Sequence, residues 1–264
     1  MMRNIFTICF LTIVHWQVCN AQFTDNFNDG DFTTNPTWTG NDSKFIISSG
    51  QLRLQASAVN AKAYLNTTSS CVNNASWEFL VQLDFNPSSA NLAKIYLISD
   101  QSDLTSSLNG YFVEIGNTAD EVSLYRQDGT TEVKIIDGLD KTLNTSSVNV
   151  KIKVTRDDAG QWQLFSDVGD TGNYTSEGTV TDATYIISNY FGVQCQYTST
   201  RSTAFHFDDF VVNGDPFHDV TAPALINVNV FSNTELELLF SEKISNENAQ
   251  DINNYIVNNG IGNP

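Results

Sequence analysis

The chain has 264 residues, of which 41% are hydrophobic and 16% are charged, so it is long enough to bury a large core. Acidic residues outnumber basic residues by 30 to 13, which gives a net charge of −17. A surface this acidic repels nucleic-acid phosphates and anionic lipids, which excludes both as partners. The low charged fraction also excludes a coiled coil and a disordered chain, and it favours a β-rich protein.

The first 21 residues have the pattern of a secretory signal peptide. Arg3 precedes an apolar run over residues 5–18, which is too short and too interrupted to span a membrane. Ala21 offers a small residue before the expected cleavage site. The alternative is a lipoprotein acylated at Cys19. The sequence therefore predicts a secreted protein, or one on the outer surface of a bacterium, without membrane insertion of the mature chain.

Two cysteines, Cys71 and Cys195, remain after the predicted signal peptide is removed. An oxidising compartment favours a disulfide between them. The alternative is a pair of buried thiols.

Alternation with a period of two residues dominates the chain from residue 44 to residue 212. Trp77, Phe79 and Val81 share one face of the clearest strand, and Val150 and Ile152 share one face of another. The predicted strands cover residues 44–48, 51–55, 77–85, 91–99, 110–115, 121–126, 131–136, 148–155, 161–167, 185–195 and 203–212. Tight turns containing Gly or Asp separate them. The pattern predicts an all-β, two-sheet antiparallel sandwich.

A domain boundary is expected at residues 214–223, where Gly, Asp and two prolines cluster. The predicted organisation is a signal peptide at 1–21, a β-sandwich at 22–215, and a linker with part of a second β domain at 216–264. Strands are expected at 225–230, at 235–240 and near 255–257. Because an Ig-like sandwich needs roughly 100 residues, this segment should expose Leu236, Leu238 and Phe240 and should continue into further domains.

Several segments resemble concanavalin A-like or laminin-G-like jelly rolls of secreted bacterial surface proteins. They are residues 23–32, 35–38 and 50–54 near the start, the hairpin at 154–164, and the strand at 205–214. Residues 219–223 and 235–242 resemble the opening of a bacterial Ig-like domain in multidomain proteins that often carry lamin-tail domains. The resemblance implies a jelly-roll fold whose last strand pairs near its first. Its implication for activity is weak, because this fold hosts lectins, glucanases and structural modules.

A glucan hydrolase of this fold needs two carboxylates on one strand face. Glu78 is followed two residues later by Leu80, and Glu114 by Gly116, so neither strand supplies the pair. The sequence therefore predicts a protein that is not an enzyme, with glycoside hydrolysis as an alternative.

Acidic residues near both ends of the predicted jelly roll are candidate calcium ligands. If the first and last strands pair, Asp25, Asp29 and Asp209 would supply the oxygen atoms that Ca²⁺ prefers. The alternative role for these residues is hydrogen bonding to loop backbone. The sequence requires no other cofactor.

The remaining candidates are aromatic residues that stack on sugar rings. Trp38 lies between Pro36 and Gly40 and is the best candidate for exposure, followed by Trp162 and Tyr125. We therefore expect a non-catalytic binding module for a polysaccharide or surface glycan. The alternative is a structural adhesion or spacer segment of a larger surface protein.

Overall fold

The computed structural model describes residues 21–217, 223–232, 234–242, 244 and 249–255. Residues 1–20 of the predicted signal peptide and most of the predicted strand at 255–257 lie outside this part of the chain. The chain divides into two units, residues 1–217 and 218–264, and each is described separately. No helix within the described ranges has the length and apolar character needed to cross a membrane.

The described part of the first unit is built from strands. They are Ala21–Asp25 (β1), Thr39–Gly40 (β2), Phe45–Ser48 (β3), Gln51–Leu54 (β4), Ala61–Thr68 (β5), Asn73–Leu83 (β6), Leu92–Ser99 (β7), Leu108–Gly116 (β8), Glu121–Gly129 (β9), Thr131–Ile136 (β10), Val148–Arg156 (β11), Gln161–Val168 (β12), Thr175–Thr181 (β13), Tyr190–Tyr197 (β14) and Phe205–Asp215 (β15). Short 3₁₀ turns occur at Asp42–Lys44 and Ser199–Arg201.

These strands form two antiparallel sheets. The first has the order β13-β12-β11-β6-β15-β4-β3, with β1 also pairing with β15. The second has seven strands in the order β10-β9-β8-β7-β14-β5-β2. The predicted all-β, two-sheet antiparallel sandwich is confirmed.

The alternating pattern explains how the sheets face each other. In β11, Val150, Ile152 and Val154 are fully buried, while the intervening Lys151 and Lys153 are only half-buried. Successive side chains of a strand point to opposite sides, so each sheet contributes one apolar face to a shared core.

Trp38 belongs to this core, so the prediction that it is an exposed platform for sugar is wrong. Its side chain is 1% exposed. The indole packs against Phe23 of β1, Phe191 of β14 and Phe210 of β15, with ring centroids 6.2, 6.0 and 5.2 Å away. The physical reason is that the segment carrying Trp38 turns inward, where the ring fills space between the two sheets.

Asp25 fixes the position of Trp38. The Trp38 Nε1–H donates to Asp25 Oδ2 at 2.8 Å, and the backbone N–H of Phe27 donates to Asp25 Oδ1 at 3.0 Å. Asp25 is 8% exposed, and this burial raises the pKa of its carboxyl group. Both carboxylate oxygens of Asp25 therefore accept hydrogen bonds from residues that pack in the core.

Trp162 is also buried, so its predicted role in stacking on sugar is wrong as well. It is fully shielded and stacks on Trp77 with centroids 5.6 Å apart. Its Nε1–H donates to the backbone carbonyl of Asp182 at 2.9 Å. Trp162 lies on the inner face of β12, because it alternates in phase with Leu164.

The predicted disulfide between Cys71 and Cys195 is wrong. Cys195 is a free thiol opposite Ala63, near the start of β5. Cys71 lies beyond the end of β5 at Thr68, and its thiol donates to the carbonyl of Asn213 at 2.8 Å. An extended strand covers ~17 Å between residues 63 and 68, whereas a disulfide needs Cα atoms within about 7 Å.

The second unit contains an antiparallel hairpin. Its strands are Leu225–Ser232 (β16) and Glu235–Phe240 (β17). Leu236 is 46% exposed, while Leu238 and Phe240 are half-buried. A 3₁₀ turn follows at Ile252–Asn254. The Ig-like identity of this unit stays a prediction.

Asp25→Ala should lower the free energy of unfolding by about 1–3 kcal/mol, because it leaves two N–H donors, those of Trp38 and Phe27, without an acceptor. The control is Asp29→Ala, whose exposed side chain should contribute about 0.5 kcal/mol or less. Urea unfolding of both variants measures the difference, and equal losses would contradict the role given to Asp25.

Cys195 should resist iodoacetamide in the native protein and react after denaturation without any reductant. Burial both blocks access and raises the pKa of the thiol, so little thiolate forms. Mass spectrometry of the peptide that carries Cys195 provides the readout. A peptide that stays unmodified until a reductant is added would show a disulfide instead.

Candidate functional site

One row of residues crosses the outer face of the seven-stranded sheet from edge to edge. From β10 to β2 the paired residues are Lys134, Tyr125, Phe112, Tyr96, Gly192, Asn66 and Thr39. Their strand neighbours Val113, Leu124 and Val193 belong to the core between the sheets. The row therefore faces away from that core.

The middle of this row is covered by the segment at residues 100–107, which connects β7 and β8. Leu104 packs with Tyr96 and Phe112 in a small second cluster. Gly192 makes room for this contact, since a Cβ there would lie 2.6 Å from Leu104 Cδ1. The aromatic rings at the centre of the row are consequently closed to solvent.

Three amide side chains of the sheet hold this covering segment in place. Asn66 Nδ2 donates to the carbonyl of Ser102 at 2.8 Å, and Gln194 Nε2 donates to the carbonyl of Leu104 at 2.5 Å. Gln127 Nε2 makes a longer contact with the carbonyl of Ser106 at 3.5 Å. Tyr125, next to one end of the row, and Asn66, next to the other, therefore lie on either side of this covering segment.

Tyr125 is the one predicted sugar-stacking residue that the structure leaves accessible. Its half-buried ring lies flat on Phe112, with centroids 5.1 Å apart and planes 2° from parallel. Burial raises the pKa of Tyr125 to about 12. Like any tyrosine with a pKa of about 10 or more, it is neutral at physiological pH and its hydroxyl can donate a hydrogen bond. Lys134 Nζ lies 5.9 Å from the ring centroid.

Ion pairs surround this ring on the same face. Lys94 pairs with Glu132 at 2.5 Å and approaches Glu114 at 3.8 Å, and Lys134 pairs with Glu121 at 2.5 Å. Asn117 Nδ2 donates to Glu114 Oε1 at 3.0 Å and contacts Glu121 Oε1 at 3.4 Å. The β8–β9 hairpin thus brings together two glutamates that inspection of single strands did not connect.

These two glutamates are not presented to a substrate. Glu114 is 6% exposed and Glu121 is fully buried, and each lies beside a lysine. A glycosidase nucleophile or acid has to reach the sugar. The arrangement is therefore a sheltered ion-pair network.

Two surface hollows lie on either side of Asn35, which lines both. The first, of about 390 Å³, is lined by all three predicted calcium ligands, Asp25, Asp29 and Asp209, and by Lys151. The second, of about 450 Å³, is lined by amides, hydroxyls, Tyr190 and the apolar Phe23 and Pro36, and no lining residue carries a charge at neutral pH.

In the acidic hollow, the predicted calcium ligands are engaged by other groups of the protein. Both oxygens of Asp25 already accept hydrogen bonds, and Asp209 Oδ2 lies 3.6 Å from Lys151 Nζ. Asp29 Oδ1 accepts from the backbone N–H of Asp31 at 3.1 Å. Within the described ranges, no group of three or more His, Cys, Asp and Glu side chains is arranged to hold a metal ion.

No protein-family model and no curated protein sequence matches this chain. The exoplasmic/lumenal domain of VIP36, in its form bound to Ca²⁺ and Man3GlcNAc, is similar with a TM-score of 0.55 and 12% identity, covering 76% of this chain and 92% of that one. The carbohydrate recognition domain of Emp47p gives 0.53 and 14%, covering 75% and 97% respectively.

A legume lectin-like domain from Entamoeba histolytica gives a TM-score of 0.50 at 12% identity, with coverage of 72% of this chain and 96% of that one. At identities this low, the similarity shows the fold alone: the described part of this chain contains a two-sheet β-sandwich like those of the three domains.

Proposed function

We propose that the protein is a non-catalytic carbohydrate-binding module whose contact surface surrounds Tyr125. The observation that carries this proposal is the half-buried Tyr125 ring, held flat on Phe112 at the open end of the row. The apolar C–H face of a sugar packs on such a ring, while its hydroxyls need polar partners at the edge.

Polar partners stand beside Tyr125. The side chains of Glu132 and Lys134 are 36% and 30% exposed, and each is already fixed by an ion pair. Fixed groups lose little conformational entropy when they bind a hydroxyl. The patch therefore combines a stacking surface with oriented acceptors and donors.

The structural neighbours support a carbohydrate as the ligand. VIP36 is seen with mannose, with Man2 and with Man3GlcNAc, and the Emp47p domain is named a carbohydrate recognition domain. Mannose oligosaccharides are accordingly the first probes for this chain. VIP36 is also seen with Ca²⁺ and in a metal-free form. Because the predicted calcium ligands of this chain are engaged by other groups, we propose binding that is independent of calcium.

We also propose that the protein is exported and stands on, or is released from, the outer surface of a bacterium. The apolar run after Arg3 supports export. Residues 216–264 would then begin an Ig-like domain that connects this module to further domains of the same polypeptide.

Tyr125→Ala should weaken binding of mannotriose about fivefold or more, because the loss of ring contact is worth about 1 kcal/mol. Tyr174→Ala is the matched control, since Tyr174 is 36% exposed but lies between β12 and β13 of the other sheet. Isothermal titration calorimetry measures affinity, and thermal unfolding checks that both variants fold.

The same titration with EDTA and with added calcium should give one affinity. A calcium requirement would contradict the proposed independence from the ion. No saturable binding to mannotriose, cellotriose or laminaritriose would favour the structural spacer instead. Release of reducing ends from a glucan would show that the protein is an enzyme.

A further inference from the structure

The uncharged hollow stands out in a chain with 30 acidic and 13 basic residues. It lies at the end of the row opposite Tyr125, where β2 and β5 meet the start of β14. Thr39 and Asn66 end the row there, and Thr68 pairs with Tyr190 one step further along the strands. Its volume of about 450 Å³ lies within the usual range for ligand pockets.

The hollow contains an ordered frame. Asn66 Nδ2 donates to the carbonyls of Thr39 and Ser102 at 3.1 and 2.8 Å, so its amide cannot rotate freely. Gln22 is similarly tied between the hydroxyls of Ser69 and Ser70. These bonds fix the wall of the hollow before any ligand arrives.

Other polar groups in the hollow are available to a ligand. Thr37 and Thr68 are exposed and Tyr190 is half-buried. Their side-chain hydroxyls make no hydrogen bond to any residue of the described ranges. Each hydroxyl is both a donor and an acceptor. The hollow thus offers three uncommitted hydroxyls and an aromatic ring on a rigid wall.

From this arrangement we propose that the hollow is a subsite for one uncharged sugar residue of a neutral oligosaccharide. The proposal rests on the carbohydrate-binding function and names its ligand class. Uncommitted hydroxyls match sugar hydroxyls, which donate and accept in the same way. An ionised sugar would lose water without meeting a counter-charge, and a carboxylate would also approach the acidic hollow across Asn35.

The hollow and the Tyr125 patch are separable. Four strand spacings lie between β9 and β5, which places Tyr125 and Asn66 ~19 Å apart. Substitutions this far apart act independently, so one contact can be removed while the other stays.

The test measures affinity for mannotriose, cellotriose, laminaritriose and trigalacturonate with the purified protein and with Thr68→Glu. The control is Thr179→Glu, which puts the same charge on an exposed threonine of β13. We expect binding of at least one neutral trisaccharide and at least a tenfold loss in Thr68→Glu. The control should be unchanged, and trigalacturonate should not bind. If Thr68→Glu does not fold, Thr37→Glu takes its place.

Nuclear magnetic resonance of the ¹⁵N-labelled wild-type protein supplies a second readout. The side-chain amides of Gln22, Asn35 and Asn66 should shift on titration with the neutral trisaccharide that binds. Binding that survives Thr68→Glu but is lost in Tyr125→Ala would overturn the subsite and leave the proposed function standing. Trigalacturonate binding in the hollow would overturn the ligand class, and no glycan binding at all would overturn both proposals.

Discussion

The buried contact between Asp25 and Trp38 organises both the sandwich and its surface. Trp38 packs on phenylalanines from β1 and β15 of one sheet and from β14 of the other. Asp25, at the end of β1, accepts its indole N–H. Residues 33–37 immediately precede Trp38, so its anchoring fixes the wall that separates the acidic hollow from the uncharged one. The buried side chain of Trp38 thereby links the packing of the core to the position of the wall between the two hollows.

The alternation of apolar and polar residues predicted those features of the fold that depend only on residues close together along the chain. The alternation in β6 correctly placed Trp77 inside, and the same rule located most strands of both sheets. It missed β5 and β13, because their inward positions are filled partly by Ala, Thr, Ser and Gly. Such residues carry little hydrophobic signal, and only pairing with neighbouring strands reveals their role.

Contacts between distant residues account for the errors at the site. Trp38 resembled a loop residue, but its burial depends on Phe191 and Phe210, which the sequence does not link to it. Glu114 has no second carboxylate on its own strand, but the pairing of β8 with β9 brings Glu121 close to it, and Asn117 contacts both. Their shielding by Lys94 and Lys134 comes from other strands and carries no local signal.

The distribution of charge supports the proposed preference for neutral ligands. Lysines pair with acidic side chains near both proposed contact surfaces, as at Glu121 beside Tyr125 and at Asp209 in the acidic hollow. Others, such as Asp29, cap turns of the backbone. The uncharged hollow is lined by hydroxyls, amides and the apolar Phe23 and Pro36, and the surrounding negative field repels anions from it. The proposed selectivity for uncharged sugars then requires no dedicated repulsive residue in the hollow, because burial of a charge without a partner already disfavours an ionised ligand.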